Sequence, residues 1–238
     1  MLAIKRNALI RYVVVLALTL SASHNFASTI MQIDMDTMLE QSAMVFEGQV
    51  TASQAKWNAD NTSIYTEVVF RVDDVIKGDY SESTISLRFA GGVVGDTGLK
   101  VSAMVYPKLG ERGIYFVESL AQQNINPLMG WSQGHFLIEK DAQQAERITT
   151  DNHIPVLGVE LGSLLQIPAS RNASPEHASS ENISGSQIES DDMPVSTGAA
   201  QGVVLAKRGG AMEQALEKQT FKASLRLRLQ ELAAEGEQ

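Results

Sequence analysis

The stretch IYTEVVFRVDDVIKG (64–78) limits the possible folds of this chain more than any other segment. Ile64, Thr66, Val68, Phe70 and Val72 fall on one parity, and Tyr65, Glu67, Val69 and Arg71 on the other. A period of two kept over this length reads as a half-buried strand and not as a helix. At Asp73-Asp74 the parity breaks, because Val75 is out of phase with Val72. A β-bulge does this: one extra residue in the strand leaves a ladder position unpaired, bends the strand and reverses the faces downstream. The segment is therefore expected as a single coiled strand, 64–77, with Val72 and Val75 both pointing inward. Two shorter strands joined by a bend is the alternative.

Other strands are expected around it. MVFEGQV (44–50), STISLRFA (83–90), LKVSAMVY (99–106), IYFVESL (114–120) and GHFLIEK (134–140) each show alternation or a short apolar run. DMDTMLEQSA (34–43) reads as a short helix capped by Asp34 or Asp36. SQAKWNADNTS (53–63) and GGVVGDTG (91–98) read as loops, and PVLGVELGSLLQI (155–167) as a short helix or an edge strand. About six strands with no helix-length segment between them exclude a parallel α/β sheet. The expectation is a mainly β fold, a small five- or six-stranded OB-like barrel over 28–167, because a small closed sheet needs strongly coiled strands.

The two ends of the chain differ from this middle. Lys5, Arg6 and Arg11 precede the apolar run YVVVLALTL (12–20), and small and polar residues follow. That is the layout of a secretory signal peptide over 1–27, with cleavage after Ser23 or Ala27. At roughly ten residues the run falls short of the ~20 a membrane span requires. Removing 1–27 takes the formal charge from −9 to −12, 16 basic residues against 28 acidic. So acidic a chain repels nucleic acid and anionic lipid. The absence of cysteine excludes thiol catalysis, disulfide staples and cysteine zinc sites. Behind a signal peptide it points to a bacterial export product, periplasmic or extracellular. The segment 168–210, rich in Ser, Ala, Asn and Glu, is expected as a disordered linker. A C-terminal amphipathic helix is expected in 211–238: Phe221, Leu225, Leu229 and Leu232 form one stripe and Leu227 lies off it. Whether that helix docks on the barrel or recruits a partner stays open.

Few residues carry a chemical signal. GWSQG (130–134) fits the G-x-S-x-G nucleophile elbow with Ser132, and Asp141 or Asp151 and then His153 follow in hydrolase order. The elbow needs a strand–turn–helix, and the HFLIEK that follows reads as a strand. GGVVGDTG lacks the Gly-Lys-Ser/Thr ending of a phosphate loop. No pair among His24, His135, His153 and His177 has metal-ligand spacing. No catalytic residue, cofactor or metal is therefore expected. Trp57, Gly91, Gly92, Gly95, Asp96 and Trp131, on or beside the loops, are the candidate ligand-binding surface.

The signatures VFEGQV, IYTEVVFRVDDVIKG, GGVVGDTG, PKLGERGIYFV and GWSQGHF resemble a group of exported bacterial proteins of unassigned function, over residues 36–140. The order of strands, with the long one ending in Lys-Gly, also resembles the OB-type barrel of netrin and tissue-inhibitor-of-metalloproteinase modules. The cysteine chemistry of those inhibitors is missing here. The OB-type likeness implies binding through one sheet face and its loops, so the expectation is a non-enzymatic module that binds another envelope or secreted protein. The acidic charge speaks against nucleic acid, and the short apolar run against membrane insertion after cleavage. The alternatives are an inhibitor or companion of an exported protease, and a hydrolase using Ser132.

Overall fold

The computed structural model describes residues 31–122, 124–162, 164–166, 199–207 and 209–236. The expected signal peptide and most of the expected linker lie outside them. The fold is built on one hairpin. Strands β1 (Met44–Trp57) and β2 (Ile64–Lys77), 14 residues each, pair antiparallel from Trp57↔Ile64 to Val45↔Lys77. Asn58 closes the hairpin: its side-chain oxygen accepts the N–H groups of Thr62 at 2.8 Å and Ser63 at 3.0 Å.

The parity break has the expected cause. Glu47 faces Asp74 and Gly48 faces Val72, so Asp73 is the extra residue of a bulge. Val72 and Val75 both pack against the same core on the two sides of it. A second bulge leaves Ile76 extra, and a third leaves Thr51 extra on β1. Strands of this length would run about 46 Å if flat; the bulges bend them instead.

Strands β3 (Thr84–Ala90), β6 (Arg112–Val117), β7 (His135–Lys140) and β8 (Glu146–Thr150) extend the hairpin into a six-stranded antiparallel sheet, in the order β3-β2-β1-β6-β7-β8. The expected closed barrel is not formed by this pairing: β3 and β8 are the two ends, and no ladder joins them among the described residues. Both faces of the sheet are covered by other elements, so burial does not require the sheet to curl onto itself. On one face the cover is helix α1 (Met35–Gln41), helix α2 (Lys218–Glu235), and a small sheet of β9 (Val156–Leu161), β10 (Leu164–Gln166) and β11 (Val203–Leu205). On the other face Phe46, Phe70, Phe89 and Tyr115 are sealed by Leu128 and by partly buried Tyr80, Met104 and Tyr106.

Other expectations need correction. β1 runs through 53–57, which read as loop. The glycine stretch is a hairpin of β4 (Gly92–Val94) and β5 (Thr97–Leu99). The strand expected at 99–106 ends at Leu99; Ala103 turns the chain at φ 59°, and Val101, Met104 and Tyr106 lie over the sheet as a lid of side chains. The strand expected at 114–120 stops at Val117. Of the two readings offered for 155–167, the strand holds: the segment contains β9 and β10, with β10 at a sheet edge. The expected linker 168–210 is structured at its far end: Ala199 and Ala200 are buried, and β11 pairs with β9.

The C-terminal helix docks on its own sheet. Phe221 and Leu225 are fully buried, with Phe221 5.1 Å from the ring of Phe136, while Leu227 is left exposed. Leu216 leads in as a rung between strands: its carbonyl accepts from Ile148 of β8 and its N–H donates to Val156 of β9.

Candidate functional site

The predicted surface residues sit mainly at one end of the long hairpin. Gly92 must be glycine, because a Cβ there would lie 2.6 Å from Thr66 Oγ1 and 2.8 Å from Ala55. This close approach seats the β4–β5 hairpin on β1 and β2, and Thr66 Oγ1 fixes it by donating to Gly91 O at 2.8 Å. At Gly95 a Cβ would meet nothing, and the φ of 58° in the turn is the reason for glycine. Asp96 stands exposed beside it. Trp57, paired with Ile64 across the hairpin, is at the same end and about one-third exposed.

Between this small hairpin and the irregular segment after it lies an open groove of about 420 Å³, lined by Gly92, Val93, Leu99, Val101, Met104 and Tyr106. Its lining is mostly apolar. Val93 is 69% exposed and Leu99 39%. Sequence reading found Gly92 but missed Val93, Leu99 and Met104, which it assigned to a loop and a strand. Trp131 does not join this group. It lies in a 3-10 turn, Trp131–Gly134, beside Leu128, where its N–H donates to the Leu128 carbonyl.

That turn also disposes of the elbow geometry. Ser132 enters a strand and not a helix. Asp141 is turned to Arg147 at 2.8 Å and to the backbone N–H groups of Gln143 and Ala145. The Arg147 bond is the main reason its carboxyl is held below the usual range. His153 pairs with Glu139, Nδ1 to Oε1 3.0 Å.

A polar cluster lies under the neighbouring strands. His135 is buried, and its Nε2 is 2.7 Å from Glu111 Oε1, which also accepts the Tyr115 hydroxyl at 3.1 Å. Burial works to raise the Glu111 carboxyl, but His135, the Lys108 N–H and the Tyr115 hydroxyl together outweigh it and the group is held low. Burial pushes the Tyr115 phenol up. Nδ1 of His135 has no hydrogen-bond partner among the described residues. Glu111 reaches a cleft of about 430 Å³ that also meets Glu139 and His153. Among the described residues, no three His, Asp or Glu side chains are placed to hold a metal ion.

The largest charged constellation joins the sheet to the last helix. Glu47, near the start of β1, has a side chain only 4% exposed and is met by Lys218 at 2.9 Å, Arg112 at 3.2 Å and Lys222. Lys218 also reaches Glu146 at 2.5 Å, and Lys222 and Arg226 reach Asp74, the latter at 2.7 Å. Burial raises the Asp74 carboxyl, but its bonds to Lys222 and Arg226 prevail and hold it below the usual range. The signal in the sequence was an acid inside an apolar strand and three cations spaced four apart on a helix. These pairs dock the last helix on the sheet.

Compared with known protein families, curated proteins and solved structures, the chain finds no match in any of the three. No described helix is long and apolar enough to cross a membrane.

Proposed function

We propose that the protein is an exported, non-enzymatic binding module of the bacterial envelope, and that it engages an aliphatic or aromatic segment of another exported protein in the groove beside the β4–β5 hairpin. The observation that carries this is the exposure of Val93 and Leu99 over a groove whose floor is set by a glycine cradle. Apolar residues left exposed on both strands of a short hairpin mark an interaction surface more than they serve stability. Lys100 at the groove supplies a polar edge, as interfaces do around an apolar centre. Export rests on the layout of residues 1–27. The absence of enzymatic activity is supported by the engagement of Asp141 and His153 away from Ser132. The likeness to OB-type barrels enters as a mode of binding: such folds engage ligands through one face of a coiled sheet and its loops.

The test is selection of a phage-displayed peptide library on the chain from residue 28, in parallel with the variant Val93→Ser/Leu99→Ser. Enrichment of peptides with clustered aliphatic or aromatic residues on the native chain, lost on the variant, is expected. Equal recovery from both proteins, or none from either, overturns the assignment.

A further inference from the structure

The outer edge of the six-stranded sheet carries a second surface, independent of the hairpin groove. Val72 N–H donates to Ser83 O and Gly91 N–H to Ile64 O, which fixes the alternation of the β2–β3 ladder. Ile85, Leu87 and Phe89 therefore hydrogen-bond to β2, while Thr84, Ser86, Arg88 and Ala90 turn their backbone groups outward. The two ends of that row are closed. Thr84 O accepts the Tyr80 hydroxyl at 2.7 Å, Ala90 N–H donates to Ile125 O at 2.8 Å, and Ala90 O accepts the Tyr106 hydroxyl at 2.8 Å. Ser86 and Arg88 are left between them with two N–H and two C=O groups unpaired among the described residues. A groove of about 350 Å³ opens there, walled on its far side by Ser119, Leu120, Gln122 and Pro127. Leu120 is about half exposed.

We propose that this window takes an extended, acidic–aliphatic peptide segment of a partner protein as an added antiparallel strand. Two outward residues supply four backbone hydrogen bonds, the pattern by which a sheet edge captures a peptide. Charge sets the composition. Glu67 lies between Lys56 and Arg88, so this face of the edge is locally positive on an acidic chain. The guanidinium of Arg88 also lies 4.9 Å from the Tyr65 ring centre, which holds it in place. A peptide residue opposite Arg88 shares that face and is best an acid; the next residue turns toward Leu120 and Pro127 and is best aliphatic. A second copy of the chain is a poor occupant. Two-fold pairing about Leu87 would set Arg88 of both copies on one face and press the closed ends of the row together.

The probe is the labelled peptide acetyl-Val-Glu-Val-Thr-Val-amide, titrated into the chain from residue 28 and read by fluorescence anisotropy. Saturable binding is expected. Methylation of the Glu and Thr backbone nitrogens is expected to weaken it at least tenfold. Ser86→Pro removes an outward N–H without touching the β2–β3 ladder, and proline is tolerated at such edge positions; it is expected to weaken binding to a similar degree. Arg88→Glu is expected to reverse the preference toward a peptide with Lys in place of Glu. The hairpin variant Val93→Ser/Leu99→Ser binds this peptide as the native chain does, which separates the two surfaces. Absence of saturable binding, or equal affinity for the methylated peptide on the native chain, overturns the proposal.

Discussion

The two faces of the central sheet are closed by opposite means. On one, Phe46, Phe70 and Tyr115 pack at 4.7–5.6 Å between ring centres, and short irregular segments finish the seal. On the other, an 18-residue helix brings Phe221 and Leu225 to the apolar layer and lays a row of cations on Glu47, Asp74 and Glu146. The aromatic face gains from non-directional burial and is indifferent to small rotations of its cover. The ionic face contributes less net stability than its many contacts suggest, because desolvating each charge offsets most of the attraction. It does fix which side of the helix meets the sheet, since turning the row of cations away would leave buried Glu47 with Arg112 alone.

The contrast can be tested in order of size. Glu47→Leu removes the acid that Lys218 and Lys222 share, leaving them Glu146 and Asp74, and is expected to cost about 3 kcal/mol in denaturant unfolding, the low end for breaking a buried pair. The triple change Glu47→Leu/Lys218→Met/Lys222→Met should recover most of that loss; a triple variant less stable than the single would show that the ionic layer is itself a main source of stability. On the aromatic face, Gly113→Ala would put a Cβ 2.5 Å from Phe136 O and 2.9 Å from the Tyr115 ring, and is expected to cost about 1–3 kcal/mol by overpacking. No shift of the denaturation midpoint would mean that face is looser than its ring distances imply. The smallest effect concerns pH. The folded Asp74 carboxyl titrates below its unfolded value. Its contribution is therefore present above the ordinary carboxylate range and is lost as pH falls through the folded value. Asp74→Asn should flatten part of the loss of stability below about pH 4; parallel pH profiles for the two proteins would assign that loss to other carboxylates.

Alternation in the sequence recorded burial faithfully and hydrogen bonding poorly. It placed β2 at its observed bounds and located the bulge, because a parity flip within one strand is a local event. It also placed the stripe Phe221, Leu225, Leu229 and left Leu227 outside it. The same pattern at 99–106 misled, since Val101 and Met104 are half-buried side chains of a covering segment and not rungs of a ladder. Barrel closure was inferred from coiling alone, yet closure also depends on what else is available to cover the sheet. That cover comes from residues far along the chain: Glu47 meets Lys218 across 171 positions. Composition hid β11 as well, because Ala199, Ala200 and Val203–Leu205 are a short apolar patch after a long polar one. Of the candidate surface, the glycines were legible from their turn chemistry, whereas the exposed valine and leucine beside them show only once the pairing of that hairpin is known.

The docking of α2 has a consequence for how the molecule comes into being. A polypeptide emerging from its N-terminus has all six strands of the main sheet available by Thr150, yet one side of that sheet, already met by α1 and soon by β9, stays only partly covered until Leu216, Phe221 and Leu225 arrive. Maturation is thereby deferred until that helix has been made, and a product truncated before it would carry a partly uncovered oily plane with Glu47 left to Arg112 alone.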